Sequence, residues 1–477
     1  MRRWCIRREV ELRHGQQSGM FRLFRCKSEH LKFLSHLLPK SRPSLLRRPM
    51  SKARSGSLNR LLPKLRPGSL RRLPALLLIP ALLLLGPAGC WDRQELNELG
   101  IISATGVDLT DNGKWEVSYQ LVIPNAISAQ GSYVGSSSSP VNVFTSVGDS
   151  FRGAVSRTTQ EMSRRVYFSH NQVVVISEEA ARRGINNLME AYMRNGDSRE
   201  TVTVLVTEGS ARTILEQLLP MEKISGVGIN RLITLEEKYG GNFRQISMFE
   251  IMQDLLSPVH VTAVPGIGLN GSGEAVDTVD AAKTTHTGAK VRLQKVAIFK
   301  NNKLAGWLST HENRGLLWVT NKVKGSTVSF PCQGEQRKLN SIRLKKQKTR
   351  VTPVRKGSGW LMKIESKATG VMMEYNCPGS MRKPQDLVPV EASIEAELKR
   401  DMEEGIAAAQ RLKADAAGFG NLLHLKHKEE WKQIESDWNE RGFPKVEIEI
   451  SVHVKLAKTG RSIESYNEAF EKSRKGE

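Results

Sequence analysis

"VEIEISVHVKL", Val446–Leu456, alternates from end to end. Val446, Ile448, Ile450, Val452, Val454 and Leu456 fall on one side of an extended chain, and Glu447, Glu449, Ser451, His453 and Lys455 on the other. Successive side chains of a strand point to opposite faces, so this is a strand with one dry and one wet side, as antiparallel and mixed sheets provide. Its apolar face needs a cover. Upstream, Ile394, Leu398, Met402 and Ile406 recur every fourth residue and form the stripe of a long helix. "KEEWKQIESDWNERG", 428–442, adds a shorter helix with Trp431 and Trp438 seven apart on one face.

Working outward, "KVRLQKVAIFK", "LAGWLS", "GLLWVTNKVKGSTVSFP", "IRLKKQKTRVTPV" and "GWLMKIESKAT" continue the strand pattern between 290 and 369. Residues 291–461 therefore read as an α+β domain, an antiparallel or mixed sheet with helices packed on one side, followed by a charged tail at 462–477. The region 90–272 reads differently. Strands "IISATGVDL", "KWEVSYQLVIP" and "VNVFTSVG" are followed by a helix that Asp149 can cap, with Phe151, Ala154, Val155 and Met162 inward. "VVVI", 173–176, is a strand buried on both faces, and Ser177 with Glu178 and Glu179 starts another helix that Gly184 ends. "TVTVLVTEG" and "SARTILEQLL" repeat the strand–helix alternation, which predicts a layered α/β domain. Between Asn270 and Thr287 large apolar residues thin out, which predicts an inter-domain linker at 273–290.

The chain has 477 residues and a formal charge of +23. Residues 1–89 hold 20 Lys+Arg against 3 Asp+Glu, which leaves 52 against 46 from Cys90 onward. The basic excess thus belongs to the head, and a nucleic-acid-binding reading of the folded part loses its support. Residues 1–49 form a basic low-complexity extension, with Met50 the expected true start of an export signal at 50–89. From Leu73 to Gly89 no charge occurs, but Pro74, Pro80 and Pro87 interrupt a run already short for a membrane span. A basic stretch, a short apolar run and small residues make a signal peptide.

Chemistry-bearing patterns are few. "GIGLNG", Gly266–Gly271, matches a dinucleotide fingerprint but lacks a helix start and reads as a turn at the domain edge. His424 and His427 with Glu430 could share a helix face but lack a fourth ligand, so a solvated face is expected. His170 reads as a hydrogen-bonded structural histidine, and the adjacent pairs Glu403-Glu404 and Glu429-Glu430 point apart. Cys332 and Cys377 are the thiols of the body besides Cys90. Export permits a disulfide between them, worth roughly 4 kcal/mol in the chain-entropy treatment, and two unpaired buried thiols fit equally.

Ala88-Gly89-Cys90 resembles the end of a bacterial lipobox, where the cysteine sulfur receives diacylglycerol, although Pro87 stands where that box usually has Leu. "GCWDRQELNELGIISATGVDL" resembles the opening of the Ger(x)C family, the C-subunit lipoproteins of spore germinant receptors. So do "SFRGAVSRTTQEMSRRVYFSHNQVVVISEEAARRGINNLMEAYMRN", "VAIFKNNKLAGWLSTHENRGLLWVTNKVKGSTVSFPC" and "AGFGNLLHLKHKEEWKQIESDWN", in the family's order. The resemblance implies a lipoprotein on the outer face of the spore inner membrane, held by diacylglycerol on Cys90. Its partners would be the receptor's integral-membrane A and B subunits, with a small nutrient germinant as a further candidate ligand. It implies a multi-domain mixed α/β fold with no established catalytic residues; no cofactor is expected, and the charge distribution argues against a nucleic-acid partner. The competing expectation is a lipid-anchored hydrolase or metal-dependent enzyme outside the membrane, for which no nucleophile, base and oxyanion pattern occurs.

Overall fold

In the computed structural model of the protein, residues 95–475 are described, except 129–138, 272–275, 286–287, 333–334, 378–380, 382 and 459–465. The first sheet contains β1 (Leu99–Leu109), β2 (Trp115–Val122), β3 (Val141–Gly148), β4 (Arg165–Tyr167), β5 (Val173–Ser177), β6 (Thr203–Thr207), β7 (Val261–Asn270), β8 (Lys290–Lys300) and β9 (Lys303–Leu308). Its order is β3-β2-β1-β5-β6-β7-β8-β9, with β4 beside the start of β1. The β1-β5-β6-β7 centre is parallel, and the flanks β3-β2-β1 and β7-β8-β9 are antiparallel.

Helices cover both faces, as a parallel centre requires. They are α1 (Pro124–Ser128), α2 (Phe151–Glu161), α3 (Glu178–Arg183), α4 (Asn186–Arg194), α5 (Ala211–Glu216), α6 (Ser225–Leu235), α7 (Met248–Leu255) and α8 (Val279–Ala282). The expected two-sided burial of "VVVI" is met: Val173 and Val175 enter one core, Val174 and Ile176 the other. Ser177 caps α3 through the Ala180 amide, and Gly184 ends it at φ 122°. The cap of α2 is Ser150 rather than Asp149, because Ser150 Oγ reaches the Gly153 amide while Asp149 pairs with Lys114.

The 273–290 segment, expected as a linker between domains, joins β7 to β8, which are antiparallel neighbours in one sheet. β8 and β9 therefore complete the first sheet, although their sequence placed them in the second domain. Alternation shows that a strand has a buried face, but not which sheet receives it. "GIGLNG" is strand, not turn, as far as Asn270. A β-carbon on Gly266 would stand 2.3 Å from the Gln294 carbonyl oxygen, so the glycine admits the neighbouring strand at a register shift.

The second sheet runs β10 (Ser326–Cys332), β11 (Glu335–Lys356), β12 (Gly359–Glu374), β13 (Glu447–Lys458). Its first three strands are antiparallel and β13 joins β12 in parallel, so the sheet is mixed. "GLLWV" is not strand. It lies in α9 (Thr310–Val319), fixed by a capping box in which Ser309 and Glu312 satisfy each other's backbone amides. Then come α10 (Pro384–Arg411), α11 (Phe419–Lys426), α12 (Lys428–Ile434) and α13 (Tyr466–Lys475). The α10 stripe is inside as expected, with Ile394, Leu398, Met402 and Ile406 fully buried, each contributing about 1.5–3 kcal/mol. The outer edge of β13 is closed by α10, because the Val454 and Leu456 amides donate to Glu395 and Glu391, both at 2.8 Å. Trp91–Glu477 forms one compact unit, and no described helix is long and apolar enough to cross a membrane.

Candidate functional site

Three segments distant in sequence meet beside the start of β7: the α6–α7 region, the end of α9, and the loop before α11. Between them lie a cavity of about 100 Å³ and an adjoining cleft of about 420 Å³, with Arg244 and Lys322 lining both. Ser247 caps α7 in a capping box with Glu250, and Glu250 also receives Arg244. Burial pushes the Glu250 carboxyl up, but the Ser247 amide and Arg244 outweigh it and hold it below the usual carboxylate range. Asp254 accepts from Thr262 Oγ1 at 2.8 Å, and Lys324 pairs with Glu237 at 2.7 Å. Lys322 is the exception. Its ammonium has no ion pair or hydrogen bond among the described residues; the residue is exposed at the cleft mouth, and crowding by the surrounding protein, followed by Arg244, pulls its pKa down against Asp254 and Glu250. The cleft thus presents a cation without an ion pair beside the paired Arg244, Glu250 and Lys324, and the adjoining cavity holds the unpartnered Asn421 Oδ1.

The wall of the small cavity is set by Asp415, which is buried. Its carboxylate accepts from the Phe419 amide at 3.0 Å, the Gly420 amide at 2.6 Å and Trp438 Nε1 at 2.8 Å. It therefore caps α11 and fixes a cluster in which Trp431 and Trp438 meet at 5.6 Å between ring centroids. Gly420 faces both rings, and a β-carbon there would come within 2.7 Å of each. Burial pushes the Asp415 carboxyl up, and the amides with Trp438 pull against it. Asp415→Asn would turn an amide donor toward the Gly420 amide or the indole, and is expected to lower unfolding free energy by about 1–3 kcal/mol. A urea midpoint equal to that of the parent would show that these bonds are dispensable.

The residues singled out in the sequence are dispersed. Cys90 lies outside the described residues. Cys332 and Cys377 approach to a Cα separation of 5.6 Å across a 45-residue interval, with Asn340 Nδ2 donating to both sulfurs. His424 is on α11, whereas His427 breaks the chain between α11 and α12 and packs its ring on Trp360 at 4.8 Å. The helix that would have aligned them is interrupted. His427 and Glu430 come to 3.8 Å, and no group of three His, Cys, Asp or Glu placed to hold a metal occurs among the described residues. His170 is exposed, contrary to expectation; the buried polar side chain is its neighbour Asn171, whose Nδ2 donates to Thr105 Oγ1 and Tyr192 Oη. Glu403, Glu404, Glu429 and Glu430 are exposed.

Comparison with known proteins decides the family. A family profile described as "Spore germination protein N-terminal domain" matches residues 92–269, and one described as "Spore germination B3/ GerAC like, C-terminal" matches residues 294–460. The chain belongs to the Ger(x)C family of spore germination proteins. Spore germination protein KC of Bacillus subtilis is 25% identical over 393 residues, covering 81% of this chain and 95% of that protein. Spore germination protein B3 of the same organism is 22% identical over 390 residues, covering 79% and 96%. The solved GerBC protein aligns over 77% of this chain and all of that one at 18% identity, with a TM-score of 0.45.

In this Ger(x)C chain, the stretches that carry the family resemblance supply buried polar clamps. Asp108, from "TGVDL", accepts from the Ala211 and Arg212 amides and so caps α5 from a neighbouring strand. Asn171, from "SHNQVVV", ties β1 to α4. Asp415 stands two residues before "AGFGNLLH", separated from it by Ala416. Sequence reasoning missed Asp108 and Asn171 because their partners are distant in the chain; Asp415 did have a local signal, an acid four and five residues before the amides it caps.

Proposed function

We propose that this chain is the membrane-tethered C subunit of a nutrient germinant receptor. It is anchored by diacylglycerol on Cys90 at the outer face of the spore inner membrane, and it acts by assembly with integral-membrane A and B subunits rather than by catalysis. The observation that carries this reading is where the family match starts: residue 92, two positions beyond Cys90. A polypeptide beginning at an acylated Cys90 would be the folded unit alone. Two acyl chains hold a protein at a bilayer where one is marginal, and confinement at the surface raises the effective concentration of membrane partners. The cleft beside Lys322 is where a small nutrient would meet a spare cation on this chain.

Deleting the gene from its spore-former is expected to abolish or slow the response of spores to at least one nutrient while a receptor-independent trigger still works. An unchanged response to every nutrient would contradict the reading. We also assign a disulfide to Cys332 and Cys377 in the exported protein. Non-reducing peptide mapping is expected to find them linked, and Cys332→Ser to lower stability by about 2–4 kcal/mol. Two free thiols in the native protein would sink that assignment.

A further inference from the structure

The outward face of the second sheet carries its charges in an uneven pattern that the strand register reveals. Three consecutive rows across β11, β12 and β13 read Lys346–Thr369–Lys455, Lys348–Lys367–His453 and Arg350–Glu365–Ser451. Apart from Thr369, which is half-buried, all of these side chains are exposed. Five fixed cations thus face one carboxylate, and none of the five has an ion pair or hydrogen bond among the described residues. The next rows differ: Lys363 pairs with Glu449, and Lys356 with Glu447. Like charges directly opposite on adjacent strands weaken a sheet, so the Lys348–Lys367 pair works against folding. No Phe, Tyr or Trp stands among the outward residues of these rows, so the face lacks the large aromatic platforms on which nucleic-acid bases stack, His453 being its only ring.

We propose that this face is an electrostatic docking surface for an anionic phospholipid bilayer, orienting the domain on the membrane that its anchor brings within reach. The inference rests on the tethered reading for the nearness of a membrane, but the surface itself is independent of the lipid. Eight residues separate Cys90 from the start of β1, a tether of at most about 30 Å, which lets the domain reach the thin layer, about 8 Å deep, in which surface potential is felt. Each cation brought to an anionic leaflet strengthens partitioning about fivefold. The cations need no pocket, only a flat array, which a sheet face supplies.

The test uses residues 91–477, whose cores are complete within that unit, without any acyl chain. Cosedimentation is measured with vesicles of phosphatidylcholine alone and of equimolar phosphatidylcholine and phosphatidylglycerol. Binding is expected only to the second, falling steeply with added salt. The triple variant Lys346→Gln, Lys348→Gln, Lys367→Gln is expected to bind on the order of a hundredfold less well. Lys363→Gln, at the ion-paired end, is expected to bind as the parent does. Removing the facing lysines relieves repulsion, so the triple variant should melt no lower than the parent, which separates lost binding from lost folding. Equal sedimentation with both vesicles, an unaffected triple variant, or capture by polyglutamate with none by the anionic vesicles would overturn the proposal. None of these outcomes bears on Cys90, whose acylation is tested separately.

Discussion

Asp401→Ala is expected to lower the unfolding free energy by about 3–5 kcal/mol, the range for removing one partner of a buried ion pair. Arg314 on α9 meets Asp401 on α10 through two bonds, Nε–H to Oδ2 at 2.7 Å and Nη2–H to Oδ1 at 3.0 Å. The side chains are 10% and 2% exposed, so neither charge has water to fall back on. Burial pushes the Asp401 carboxyl up and Arg314 pulls it down, with burial prevailing. Local backbone geometry heightens the dependence. A β-carbon on Gly315 would stand 1.8 Å from the Asp401 carbonyl oxygen, and one on Gly405 2.5 Å from that of Glu312. Two glycines let the helices cross backbone to backbone, which leaves the guanidinium no other place to go. Pairing Asp401→Ala with Arg314→Met removes both charges, and the double variant should regain most of the loss because no unpaired charge remains. Urea unfolding of the four species measures this directly. A single-variant loss under about 1 kcal/mol would mean the pair is solvated.

Cys90→Ala should have the largest effect on function. The folded unit is expected to survive, since its cores draw on residues from 102 onward, but it should leave the membrane fraction. Each buried methylene of an acyl chain contributes about 0.8 kcal/mol, so losing two chains removes essentially all anchoring. The basic sheet face would leave only a weak attachment that salt removes. Fractionation after a salt wash is therefore decisive: the variant should be soluble and spores carrying it should respond poorly to nutrient. Full retention in the washed pellet would contradict anchoring at this residue.

What could be read from sequence was whatever a short window encodes. Two-sided burial of Val173–Ile176, the Ser177 cap, the α10 stripe and the alternation of β13 are local periodicities with local causes. The misplaced element, "GLLWV", is an apolar run too short for its period to separate helix from strand. The deciding signal was the Ser309–Glu312 capping box just upstream. The cleft could not be read, because Arg244, Asp254, Lys322 and Asp415 converge only after the sheets form. The basic rows were half visible: Lys346, Lys348 and Arg350 alternate within one strand, but their opposition to Lys367, Lys455 and His453 depends on register. Buried carboxylates such as Asp108 and Asp401 look in sequence like any surface acid.

The most direct test is mass spectrometry of the polypeptide taken from spore membranes, read at its first residue. The expected product is a chain beginning at Cys90 whose sulfur carries diacylglycerol. A chain recovered from the soluble fraction with residues before Cys90 still attached and its thiol unmodified would contradict it.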